Sequence, residues 1–141
     1  MIVTFCGHKE WYPNEAEKAR LLTVIRELIV EGADKFYLGG YGRFETEAAV
    51  AVRELKKEYP HIHSILVIPY IDREFDPALY DESLYPPIEN VPYRFAISKR
   101  NEWMVMQADV VVSGVTHRWG GAAETLNYAR RKKKRVISLG K

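Results

Sequence analysis

One thiol cannot close an internal disulfide, and Cys6 is the single cysteine of the chain. It is also too little for a thiolate zinc cluster, so the sequence suits a reducing compartment. Standing at the end of the apolar run Ile2–Cys6, it reads as a small buried strand residue. Long apolar runs are missing as well. Stretches such as Ile65–Pro69 and Ala108–Val112 fall far short of the roughly 20 residues that a membrane helix needs, so no membrane partner is expected. The start of the sequence has neither the basic segment nor the long apolar segment of a secretory signal, and the expected location is cytoplasmic. Charge of one sign is scarce: 21 basic residues face 19 acidic ones, a net charge of +2, without the global field of a strong nonspecific nucleic-acid binder. The local exception is the basic run Arg130–Arg135. It falls where a helix should end, and cations there complement the helix dipole. Repeats and low-complexity tracts are absent.

What is present is an alternation of short apolar segments and amphipathic ones. The hydrophobic content of 47% is ordinary for a chain that buries a core, and the length suits one domain, 1–141. Five segments read as strands: Ile2–Cys6, Lys35–Leu38, Ser64–Ile68, Asp109–Ser113 and Arg135–Leu139. Between the first two, Asn14 with Glu17 forms a capping box, and Leu21, Leu22, Ile25, Leu28 and Ile29 recur at helical spacing until Gly32. Further helices are expected over about Glu45 to Glu58, Lys99–Gln107 and Ala122–Arg131. This order predicts an α/β, three-layer Rossmann-like fold: a mostly parallel sheet of about five strands with helices on both faces. The segment 70–95 has no sustained period. With Pro77, Pro86, Pro87 and Pro92 among Tyr70, Tyr80, Tyr85 and Tyr93, it reads as a long excursion at the sheet edge that covers the pocket or a partner.

Three strands run into glycine-bearing turns: Gly7-His8-Lys9 after the first, Gly39-Gly40-Tyr41-Gly42-Arg43 after the second, and Trp119-Gly120-Gly121 after the fourth, just before a helix. In open α/β sheets ligands bind outside the carboxyl ends of the strands. Glycines there let backbone N–H groups face a phosphate, and a helix N-terminus adds partial positive charge. Arg43 offers a fork for phosphate oxygens. Lys99 and Arg100 place two cations where a helix start ordinarily carries acids, which points to a compensating anion. Asn101, His8 and Thr125 complete the polar set. His61, His63 and His117 are scattered without matching carboxylates, so no metal site is expected.

These features resemble the SLOG superfamily, which joins the Lonely Guy phosphoribohydrolases and DNA-processing protein A. Val3-Thr4-Phe5-Cys6-Gly7 is similar to the first strand and turn of Lonely Guy proteins, and Gly39-Gly40-Tyr41-Gly42 to their second glycine turn. A branch of small bacterial SLOG proteins of unknown activity is matched by several segments in order. They are Glu47-Ala48-Ala49, Leu55-Lys56-Lys57-Glu58-Tyr59-Pro60, Ile68-Pro69-Tyr70, Lys99-Arg100-Asn101-Glu102-Trp103-Met104, and Gly120-Gly121 followed by Thr125-Leu126-Asn127-Tyr128-Ala129. The resemblance implies a phosphate-bearing nucleotide or nucleotide-derived ligand, sensed or sequestered, with no further cofactor. It also implies assembly as a homo-oligomer. In Lonely Guy enzymes a helix arginine and a glutamate after a Pro-Gly-Gly-x-Gly-Thr turn cleave the N-glycosidic bond of a nucleoside monophosphate. Arg100 matches the arginine, but the proline is absent, and Asn127 or Tyr128 stands where the glutamate falls. A hydrolase or transferase reading therefore needs another carboxylate, with Glu124, Glu102 and Glu45 as candidates in that order. Association with single-stranded DNA is a third reading, carried only by Arg130–Arg135, and nucleic acid is not the expected partner.

Overall fold

The computed structural model describes residues 1–139. Among these residues, four helices flank a fully parallel sheet of six strands, in the order β4-β3-β2-β1-β5-β6. The chain runs β1 (Ile2–Gly7), α1 (Glu15–Glu31), β2 (Lys35–Leu38), α2 (Arg43–Lys56), β3 (His63–Val67), β4 (Glu82–Leu84), α3 (Ala96–Gln107), β5 (Val110–Gly114), α4 (Gly121–Arg131) and β6 (Arg135–Ser138). The Rossmann-like α/β architecture expected from the alternating pattern is the one observed.

Local chemistry explains the element boundaries. The capping box at the start of α1 is formed: the Glu17 amide donates to Asn14 Oδ1 at 2.8 Å, and the Asn14 amide donates to Glu17 Oε1 at 3.0 Å. The helix buries Leu21, Val24, Ile25, Leu28 and Ile29 and ends at Gly32. With Phe44, Ala48, Val52 and Leu55 of α2, these side chains cover one sheet face, contributed by Val3, Phe5, Phe36, Leu38, Val110 and Val112. The opposite face carries Cys6, Val111, Tyr37, Ile65 and Val67. It packs against Met104 and Val105 of α3 and Ala123, Leu126 and Ala129 of α4. Period-two alternation along each strand thus feeds two separate apolar layers. Cys6 is buried, and burial pushes its thiol up to about 12, so it is an inert core residue.

Three expectations are corrected. The sheet has a sixth strand, β4, inside the proline-rich excursion, paired in parallel with β3 from Ile65↔Glu82 to Val67↔Leu84. Three residues are too few for a period to register in the sequence. The pairing is set by long-range bonds: Asp81 Oδ2 accepts from the Ser64 amide at 2.8 Å and from Lys56 Nζ at 3.1 Å. The excursion therefore extends the sheet edge, and none of residues 70–95 lines the main cleft. The third helix begins at Ala96, after a 3-10 turn at Tyr93–Phe95, so Lys99 and Arg100 lie about a turn inside it and not at its start.

Within the basic run Arg130–Arg135, at the strand ends opposite the cleft, Lys134 and Arg135 are tied into the fold, while Arg130, Arg131, Lys132 and Lys133 are exposed. Lys134 Nζ donates to the carbonyls of Met106 and Ala108 at 3.1 and 2.9 Å, closing the end of α3. Arg135 forms a fork with Glu31. Among the described residues no helix is long and apolar enough to cross a membrane.

Candidate functional site

Strand order reverses between β1 and β5. From β1 the chain proceeds to β2 on one side, and from β5 to β6 on the other, so the loops leaving their carboxyl ends diverge and open a crevice. A cleft of about 820 Å³ occupies this place, within the usual range for small-molecule sites. The β1 loop supplies Gly7, His8, Lys9 and Glu10. The β5 loop and the first turn of α4 supply Thr116, His117, Trp119, Gly120, Gly121 and Thr125, and α3 supplies Arg100 and Asn101.

The first glycine turn has a packing reason. Gly7 and Gly114 are register partners at the ends of β1 and β5, and the Phe44 ring lies against both. A Cβ on Gly7 would sit 2.2 Å from Phe44 Cγ, and one on Gly114 would sit 2.4 Å from Phe44 Cε1. Trp11 meets the same ring edge-on at 4.9 Å between centroids. The floor of the cleft is thereby backed by close aromatic packing.

The second glycine turn is occupied by the protein itself. The Gly39 amide donates to Glu45 Oε1 at 2.7 Å, and the Tyr41 amide donates to Oε2 at 3.5 Å. The amides that open α2 are also taken, Arg43 N–H by the Lys9 carbonyl at 2.9 Å and Phe44 N–H by the His8 carbonyl at 3.4 Å. The acceptor cradled here is the Glu45 carboxyl group. Gly39, Gly40, Gly42 and Arg43 lie outside the cleft lining, and Arg43 runs along the surface of α2 to Glu47 at 3.3 Å.

Arg100 is almost wholly buried, at 1% exposure. Its Nη1 donates to the Gly39 and Val67 carbonyls at 2.9 and 2.8 Å, and its Nε donates to Asn101 Oδ1 at 2.8 Å. Glu45 and the Arg100 guanidinium flank Gly39, whose absent Cβ would lie 2.9 Å from Glu45 Oε2 and 3.0 Å from Arg100 Cζ. Burial pushes the Glu45 carboxyl above its ordinary value, against the pull of Arg100 and the two amides. Burial likewise lowers the Arg100 value, while Glu45 works to keep the charge. Lys99 and Arg100 thus both have an acidic neighbour within the protein: the Glu45 carboxyl lies near Arg100, and Glu102 pairs with Lys99 at 3.3 Å. Of the three carboxylates considered for glycosidic chemistry, Glu45 alone lines the cleft. Glu124 is exposed and Glu102 is half-buried, and both lie outside the lining.

The third glycine turn is open. Gly120, at φ 93°, precedes α4 with no side-chain cap. Among the described residues no group accepts the amides of Gly121 and Ala122, and, chain neighbours and the helix's own backbone aside, none has a heavy atom within 4 Å of a Cβ built on Gly120 or Gly121. Thr125 Oγ1 donates back to the Gly121 carbonyl at 2.9 Å, within the helix.

His8 links the two loops. Its Nε2 accepts from the Thr116 amide at 2.9 Å and the His117 amide at 3.3 Å, which assigns the neutral Nδ1–H tautomer. Burial and the neighbouring His117 lower its proton affinity. The His8 and His117 rings stack at 3.6 Å, and His117 and Trp119 at 3.9 Å. His117, read from the sequence as one of several scattered histidines, thus lines the candidate cleft. The available signal was that His8 and His117 each follow a strand closely, but the adjacency of those strands comes only from the sheet order. Among the described residues, no three His, Cys, Asp or Glu side chains gather as a metal site.

No family model matches the chain. It is 28% identical over 137 residues to an uncharacterized SPbeta prophage-derived protein, YoqJ, of Bacillus subtilis, covering 81% of this chain and 80% of that one. Among solved structures it resembles DNA processing protein A from Helicobacter pylori, described for its single-stranded DNA binding mode. The TM-score is 0.67 at 19% identity, over 98% of this chain and 64% of that one, so the chain spans less than two-thirds of that protein. It also resembles the molybdenum cofactor carrier protein of Chlamydomonas reinhardtii, with a TM-score of 0.66 at 16% identity over 99% of this chain and 77% of that one. At these identities the likeness establishes a shared Rossmann-like fold.

Proposed function

We propose that the chain is a SLOG-type domain whose cleft binds a phosphate-bearing nucleotide or nucleotide-derived small molecule, with the phosphate on the N-terminus of α4. The observation that carries this reading is the pair of uncommitted amides at Gly121 and Ala122, two residues that line the cleft at the strand-order reversal. Helix N-termini bind anions through such amides and the helix dipole. Lys9 and Arg100 line the cleft against Glu10, Glu17 and Glu45, a balance that favours one phosphate over a polyphosphate.

The test is calorimetric titration with nucleoside 5′-monophosphates, ADP-ribose and a single-stranded oligonucleotide, the last included because of the fold shared with DNA processing protein A. Gly121→Pro removes one free amide at a helix position that proline favours. Saturable binding of monophosphates, weakened in Gly121→Pro at unchanged thermal stability, supports the reading. A wild-type protein that binds no phosphate-bearing small molecule refutes it.

A second reading, cleavage of an N-glycosidic bond, is favoured by one observation: buried Glu45, with its carboxyl raised, lines the same cleft as Arg100. A carboxyl raised above its ordinary value by burial is suited to acid–base chemistry. Release of free base from a nucleoside monophosphate, abolished in Glu45→Gln with ligand binding retained, decides for it. Binding without release of base decides against it.

A further inference from the structure

The β5 loop carries a feature that the phosphate reading leaves unexplained. Trp119 is 70% exposed, although it belongs to a column of three near-parallel rings. It lies on His117 at 3.9 Å and 19°, and His117 lies on His8 at 3.6 Å and 13°. The column is anchored at its base by the two amide hydrogen bonds to His8 Nε2. Among the described residues, a ring covers only one face of the indole. A side chain of this size ordinarily gains by burial, yet here it is held flat at the cleft with its other face open. It also directly precedes Gly120-Gly121, so a ligand whose phosphate sits on α4 lies beside the indole.

We infer that the open face of Trp119 is a stacking platform for the planar heterocyclic base of the ligand, with His117 and His8 as its rigid support. This rests on the phosphate reading for the ligand's orientation, while the stacking contact has its own observation in the ring column. Stacking tolerates any base, since each has a π face. The platform therefore selects nucleotides over sugar phosphates without selecting among bases.

Three probes separate the two contacts: AMP, ribose 5-phosphate and adenosine, titrated calorimetrically into the wild type, Trp119→Ala and Trp119→Phe. Far-UV circular dichroism checks each fold, and the exposure of Trp119 makes both variants tolerable. The expected result is that Trp119→Ala weakens AMP about ten-fold, in the range of a single base–aromatic stack. Ribose 5-phosphate changes by less than about two-fold, and Trp119→Phe recovers most of the AMP affinity. AMP affinity unchanged in Trp119→Ala, or an equal loss for AMP and ribose 5-phosphate, overturns the platform. So does a wild type that binds neither AMP nor adenosine. If adenosine binds in a Trp119-dependent way and ribose 5-phosphate does not bind, the platform stands and the phosphate site is refuted.

Discussion

The turns at Gly39–Gly42 and Gly120–Gly121 look alike in sequence: each follows a strand, each leads into a helix, and each carries a glycine pair. In the structure they do different work. The first turns its amides on the protein's own carboxylate, Glu45, and on carbonyls of the β1 loop. The second leaves its amides free at the cleft. Glycine in such a turn reports that something approaches the backbone closely, but not whether the approaching group is a ligand or the protein itself.

Removing the internal acceptor is the strongest way to break this contrast. Glu45→Ala leaves the Gly39 amide without its acceptor and the buried Arg100 without its neighbouring carboxylate. Urea denaturation should show a loss of about 1–3 kcal/mol, as for a buried donor left without its acceptor. Glu124→Ala, at the exposed start of α4, should stay within about 0.5 kcal/mol of the wild type. Comparable losses at the two positions would refute the internal role of Glu45.

Space distinguishes the turns next. Gly7→Ala drives a Cβ into Phe44 and should destabilise by about 1–3 kcal/mol, as overpacking does. Gly121→Ala meets nothing within 4 Å. Its stability should change by less than about 0.5 kcal/mol, with any loss confined to phosphate affinity. A Gly121→Ala variant as unstable as Gly7→Ala would show that the third turn is packed too.

The hydrogen bonds that hold the open turn in place are sensitive to pH. His8 accepts two amides as a neutral ring, and its folded value is lowered from 6.5. Its contribution is present above that ordinary value and is lost as pH falls through the lowered one. Glu45 works in the opposite sense: its folded value is raised from 4.5, so its contribution is present below 4.5 and is lost as pH rises through the raised value. The two are separated by comparing urea midpoints of the wild type and His8→Ala at about pH 7.5 and about pH 5. The advantage of the wild type should shrink at the lower pH, and an advantage that grows on acidification would refute the assignment of His8 as acceptor. The smallest effect is expected at Arg43. Its exposed i,i+4 pair with Glu47 is worth about 0.5 kcal/mol or less, and Arg43→Ala should leave AMP affinity within about two-fold.

The legible part of the fold was what nearby residues decide. The Asn14–Glu17 box, the apolar stripe of α1 and the four apolar strands around β1 are all contained in short windows, and each forms where its pattern lies. β4 was not legible, because three residues hold no period and their partner is β3 across a loop. In the site, the β1 loop, Arg100 and the Trp119–Gly121 turn were recognisable from glycine and helix-start chemistry. Glu45 ranked last among the carboxylates because, in sequence, it is an ordinary first-turn acid. Its burial against Arg100 depends on α2 and α3 lying on opposite faces of the sheet, with their side chains meeting at Gly39.

The sequence by itself determined the alternation of strands and helices, hence the parallel sheet and the edge at which the glycine turns gather. The reason is physical: periodicity, capping and backbone freedom act over a few residues. Which turn is filled and which is open was decided only in the tertiary structure. Hydrogen-bond donors pair with whichever acceptor the fold brings within about 3 Å, and for the second turn that acceptor came from the chain itself.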